Sequence, residues 1–129
     1  MSNLLDKQAI LDAHDIVIEE VEVLEWGGAV RVRTLSGKAR DEFEQSLRTG
    51  GGDLNMANVR AKMATLTIVD ANGDLIFTFA EAQKLGERSA RALDRVFMVA
   101  QRLAGFSKQD LAELTENLSD GQSDASISD

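Results

Sequence analysis

Cysteine is missing from this 129-residue chain. Disulfides and thiolate sites are thereby excluded, and a reducing cytoplasm suits it. There is one histidine, His14, so no pair of imidazoles exists to anchor a zinc ion. No apolar run approaches the roughly 18 residues of a membrane span. The opening stretch MSNLLDKQAILDAHD lacks a signal peptide's basic start and apolar block. Positive charge is short as well: 14 Lys and Arg stand against 22 Asp and Glu, a net charge of -8. That balance argues against a nucleic-acid partner, which needs a basic face. Catalytic signatures are missing too. Gly50-Gly51-Gly52 is a joint rather than a phosphate cradle, because no Gly-Lys-Ser/Thr follows at P-loop spacing. Glu19 and Glu20 point to opposite faces of a strand and make no acid/base pair. These absences predict a non-enzymatic cytoplasmic protein with no cofactor and no metal.

What is present is an ordinary globular composition, 43% hydrophobic and 28% charged, enough for one domain with a real core. The clearest element is the stretch Gly86 to Gly105. Leu93, Val96, Phe97, Ala100, Leu103 and Ala104 fall on one face of a helix, and Arg88, Arg91, Arg95 and Arg102 keep largely to the rest. The stretch has no proline, and Gly105 suits the left-handed conformation that ends helices. The apolar face reads as core. Ahead of it, residues 16–35 alternate as a β-hairpin. A two-residue Gly27-Gly28 turn would set Trp26 opposite Ala29, Val23 opposite Val32 and Glu22 opposite Arg33. Trp26, beside that turn, is either a lid on the core or a contact anchor. Ser36 caps a helix over Lys38 to Arg48 with Ala39, Phe43 and Leu47 inward.

Residues 54–69 carry two signals. Met56, Val59, Met63 and Leu66 have helical spacing, which predicts a helix from near Leu54 to about Val69. The β-branched run from Thr65 to Val69 offers an alternative, a strand from Ala64 that turns through Asp70-Ala71-Asn72-Gly73 to Leu75-Ile76-Phe77. Asp70, Asn72, Asp74 and Glu81 sit at calcium-loop positions, but Leu75 stands where that loop requires glycine, so no ion is expected. Thr78 and Glu81 form a capping box for a short helix ending at Gly86. Leu4 to Ala13 reads as a short helix or a loose arm. Ser107 and Asp110 open a last helix with Leu111, Leu114 and Leu118 on one face. From Ser119 the acidic, serine-rich end cannot bury enough to order itself. The expected organisation is a single domain over 1–118 and a disordered acidic tail over 119–129. The fold class is α+β: an N-terminal β-hairpin packed against a mainly helical domain with a long helix in the C-terminal half.

Charge is uneven along the chain. Residues 1–25 hold seven acids and one base, a net of -6, and residues 26–62 hold seven bases and four acids, a net of +3. The acidic front is a solvated edge or an attractor of a basic partner.

Three blocks together carry a resemblance. They are EVEVLEWGGAVRVRTLSGKARDEFE at 20–44, NVRAKMATLTIVDANGDLIF at 58–77 and LGERSARALDRVFMVAQRLAGFSKQDLAELTENLS at 85–119. In order and spacing the chain resembles the tail assembly chaperones of long-tailed phages and prophages, from about Ile16 to Ser119. The resemblance implies a protein that works in the host cell cytoplasm and is absent from the finished virion. Its partners would be the tape measure protein, kept soluble, and the tail-tube subunit, with self-association left open. The contact residues expected on this chain are Trp26, the acids Glu19, Glu20, Glu22 and Glu25, and the stripe Leu111, Leu114 and Leu118. The alternative is a structural tail or head-tail connector component of the virion.

Overall fold

The computed structural model describes residues 3–48 and 51–105. Three antiparallel strands form one sheet in the order β1-β2-β3: β1 Ile18–Val23, β2 Gly28–Arg33 and β3 Ile68–Val69. Around them run α1 Lys7–Leu11, α2 Gly37–Ser46, α3 Val59–Thr65, α4 Ala82–Leu85 and α5 Ala90–Leu103. The α+β expectation is met, with the N-terminal hairpin packed on helices and the long helix late in the chain. The expected helix Ser107 to Leu118, the tail 119–129 and the boundary between them lie outside the described residues.

The sheet's inner face and α5 make the centre of the core. Alternation sends Val21, Val23 and Val32 inward, and all three are buried. Across from them α5 buries Ala92, Leu93, Val96, Phe97 and Ala100, the greater part of the expected stripe. Leu103 and Ala104 are half-buried at its end. Each large side chain so enclosed contributes about 1.5–3 kcal/mol of transfer free energy. Ser89 caps α5 by accepting from the Ala92 N–H at 3.1 Å, and Gly105 ends it at φ +85°. Helix α2 begins as expected, with Ser36 accepting from the Ala39 N–H, and it lays Ala39, Phe43 and Leu47 into the same core.

Two expectations are corrected. The hairpin register differs from the anticipated one: Val23 stands opposite Gly28, Glu22 opposite Ala29 and Glu19 opposite Val32. The cause is the turn. Four residues make it, a 3-10 turn at Leu24–Trp26 and then Gly27 alone at φ +76°, while Gly28 belongs to β2. Four-residue hairpin loops built on a helical-type turn are a stable alternative to two-residue ones. Trp26 therefore lies in the turn and not opposite Ala29. The register moves by an even number of residues, so every side chain keeps its expected face.

The second correction concerns 54–69. The expected long helix is split into α3 and β3. Thr65 Oγ1 donates to the Lys62 carbonyl and Thr67 Oγ1 to the Met63 carbonyl, each at 2.8 Å and fully buried. Such back-bonding satisfies the hydroxyls and frees Ile68 and Val69 to pair with β2. The alternative reading of the turn is what forms. Asp70 Oδ1 accepts from the N–H groups of Asn72 and Asp74, Gly73 takes φ +87°, and the Ile76 N–H donates to the Ile68 carbonyl at 3.1 Å. Beyond it Thr78 and Glu81 form the capping box, on the 3-10 turn Phe79–Glu81 that leads into α4. One close approach joins α4 to α3. Asn58 takes φ 56° and its Oδ1 lies where a Cβ on Gly86 would come within 2.5 Å.

Candidate functional site

The structure divides the expected acidic front. Glu19 lies on the inward face of β1 and accepts from Arg102 Nη2 at 2.5 Å. Glu25, in the 3-10 turn, accepts from Arg95 through Nε at 2.7 Å and Nη2 at 3.1 Å, a bidentate pair. Arg95 meets one end of the hairpin and Arg102 the other, so α5 runs antiparallel to β1. Two of the four acids thus fasten the long helix to the sheet. Glu20 and Glu22 point to the opposite face and are exposed, with Arg31 and Ala29 as their ladder partners.

The bond from Arg95 holds the Glu25 carboxyl below its usual range, aided by a hydrogen bond from its own backbone and by the field of Arg95 and Arg91. Glu25 holds Arg95 above its usual value in turn. A depressed carboxyl pKa adds stability above the unfolded-state value, and that stability is lost as pH falls through the folded-state value. The Glu25–Arg95 tie therefore operates at neutral pH and is released only under acid conditions. Arg60 and Asp94 make a further ion pair from α3 to α5.

Trp26 is brought to a groove that spacing alone does not reveal. Trp26, Phe77 and Leu85 make its apolar surface, Lys84 and Arg88 its rim, and its volume is about 350 Å³. These residues come from the hairpin turn, the segment after β3, α4 and the residue before the α5 cap. Trp26 and Phe77 are half-buried, whereas Lys84 and Arg88 are exposed. The groove beside Trp26 is thus edged with the positive charge of Lys84 and Arg88. Leu111, Leu114 and Leu118 lie outside the described residues.

A second surface is the N-terminal segment. Asp6 caps α1 by accepting from the Ala9 N–H at 2.9 Å, and no residue of α1 is buried. Leu4, Leu5, Ile10, Leu11, Ile16, Val17 and Ile18 are all exposed, Leu4 to 92%. The segment joins the sheet at Val17, whose carbonyl accepts from the Thr34 N–H and whose own N–H donates to Thr34 Oγ1. The sequence reading of Leu4 to Ala13 as a short helix or a loose arm left open whether its apolar side chains are covered; among the described residues they are exposed.

Among the described residues no group of three or more His, Cys, Asp or Glu is placed to hold a metal ion. Asp70 caps its turn, and Glu81 accepts from the Thr78 N–H, so two of the three acids of the calcium-like pattern have structural work. No described helix is long and apolar enough to cross a membrane. No family model, curated protein or solved structure matches the chain.

Proposed function

We propose that this protein is a tail assembly chaperone. It binds the helical tape measure protein of a long-tailed phage in the host cytoplasm, keeps it soluble and helps to recruit tail-tube subunits. The observation that carries the reading is the exposed apolar segment from Leu4 to Ile18, set beside the buried core of the sheet and α5. Single exposed leucines mean little, but a run of seven large apolar side chains marks an interaction surface. A tape measure exposes apolar helical stripes until the tube encloses it, and such stripes are held by apolar contacts with a soluble exterior. Glu20 and Glu22 continue from Ile18 along the same outward face of β1 and supply that exterior. The three-block resemblance supports the same reading. It assigns the protein no catalytic step, no cofactor and no nucleic-acid or membrane partner.

The test is to express the tape measure with and without this chain and compare its soluble yield. Rescue is expected, and it should fail in the double variant Leu5→Ser, Ile10→Ser. Equal yields with and without the chain would sink the reading. Purified virions should lack the protein; stoichiometric amounts in particles would assign it instead to the tail or the connector.

A further inference from the structure

Strand β1 is an outer strand of the sheet. One of its edges pairs with β2, and among the described residues nothing pairs with the other. We propose that this open edge takes an extended segment of a partner protein as a fourth strand, one in which lysine or arginine alternates with apolar residues. The inference goes beyond the chaperone reading, whose client is helical, and does not depend on it.

Three observations point to that partner. The first is the backbone. The Thr34 N–H donates to the Val17 carbonyl, and the Arg33 N–H donates to the Thr67 carbonyl. Carried along the ladder, that alternation turns the N–H and C=O groups of Ile18, Glu20 and Glu22 away from β2. These groups have no hydrogen-bond partner among the described residues. Such an unpaired row is a template for strand addition. The second is charge. Glu20 and Glu22 are exposed on the outward face of β1, opposite Arg31 and Ala29. Neither is in an ion pair among the described residues, whereas Glu19 and Glu25 are. An added strand sets alternate side chains beside those two carboxylates, where lysine or arginine is favoured. The same carboxylates disfavour the β1 of a second copy. An antiparallel pair centred on Val21 would set Glu20 against Glu22, and one centred on Glu20 would set that residue against itself. The third is Met98. Arg91, Arg95, Met98 and Arg102 follow one another at helical spacing along one face of α5. Arg95 and Arg102 reach Glu25 and Glu19, so Met98 lies between these two ties on the β1 side of the helix, 63% exposed. An inward apolar side chain of the added strand, beside Val21, would meet it there.

The test uses the full-length protein and a short blocked peptide in which lysine alternates with valine. In the free protein the amides of Ile18, Glu20 and Glu22 should exchange rapidly, and those of Glu19 and Val21, which face β2, slowly. Saturating peptide should slow exchange at Ile18, Glu20 and Glu22. A peptide with glutamate in place of lysine should bind roughly tenfold more weakly, because attractive cross-strand pairs become repulsive. Glu20→Lys with Glu22→Lys should reverse that preference. Met98→Ser should weaken the lysine peptide and leave the far-ultraviolet signature unchanged. Absence of binding, or binding that leaves the three amides exchanging freely, would overturn the proposal. So would equal affinity for the two peptides, or unchanged affinity in Met98→Ser. Slow exchange of the three amides in the free protein would overturn it as well. If independent of protein concentration, that result would assign the edge to the chain's own residues; if dependent on it, to a second copy.

Discussion

The N-terminal segment and α5 are built from similar materials and meet opposite fates. Each carries large aliphatic side chains interrupted by charge. In α5 those side chains face Val21, Val23 and Val32 on the sheet, and Val96 and Ala100 lose all contact with solvent. In the N-terminal segment Leu4, Leu5, Ile10 and Leu11 remain in water. Ion pairs sharpen the contrast, since Arg95 and Arg102 tie α5 to Glu25 and Glu19. Helix α1 has only five residues, too few to be stable without tertiary support. Amphipathicity states that a face exists; whether the face is covered depends on what the rest of the chain places opposite it.

Mutations can break this contrast from either side. The largest effect is expected at Phe97, 8% exposed within α5. Phe97→Ala should cost about 3–5 kcal/mol in chemical denaturation, the range for emptying a buried aromatic site. An unchanged midpoint would show that the α5 stripe is not core. A smaller loss is expected at the junction of α3 and α4. Gly86→Ala places a methyl group against Asn58 and should cost about 1–3 kcal/mol, the range for overpacking. Introducing Asn58→Gly beside it should recover most of that loss, because Asn58 sits at φ 56°, which glycine adopts freely. Failure to recover would place the strain elsewhere. The smallest effect is expected in the N-terminal segment, where Leu5→Ser with Ile10→Ser should move stability by no more than about 0.5 kcal/mol per site. A large loss there would mean the segment is docked and the contrast is false.

Much of the fold was legible because local chemistry and global packing agree. Ser36, Thr78 with Glu81 and Gly105 each stand at the helix end their chemistry suits. The hairpin faces were legible from alternation, but the pairing was not. Gly27 and Gly28 both permit a two-residue turn, and only the 3-10 turn at Leu24–Trp26 reveals that the chain uses four. Over 54–69 two periodicities overlap, and the side-chain hydrogen bonds of Thr65 and Thr67 decide where one yields to the other. The candidate surfaces were less legible still. The acids lie close together in sequence, yet strand alternation and pairing with α5 separate Glu19 and Glu25 from Glu20 and Glu22. The Trp26 groove draws on residues from 26 to 88, and no linear pattern joins Trp26 to Leu85.

The ties between the hairpin and α5 also set a clock on synthesis. Glu25 and Arg95 are 70 residues apart, and Glu19 and Arg102 are 83 apart. At a translation rate of roughly 5–20 residues per second, the turn is made about 4–14 s before the arginine that will hold it. Through that interval the valines of β1 and β2 have no roof. An isolated two-stranded hairpin is marginal in water, so the sheet gains its lasting partner only when α5 has been made.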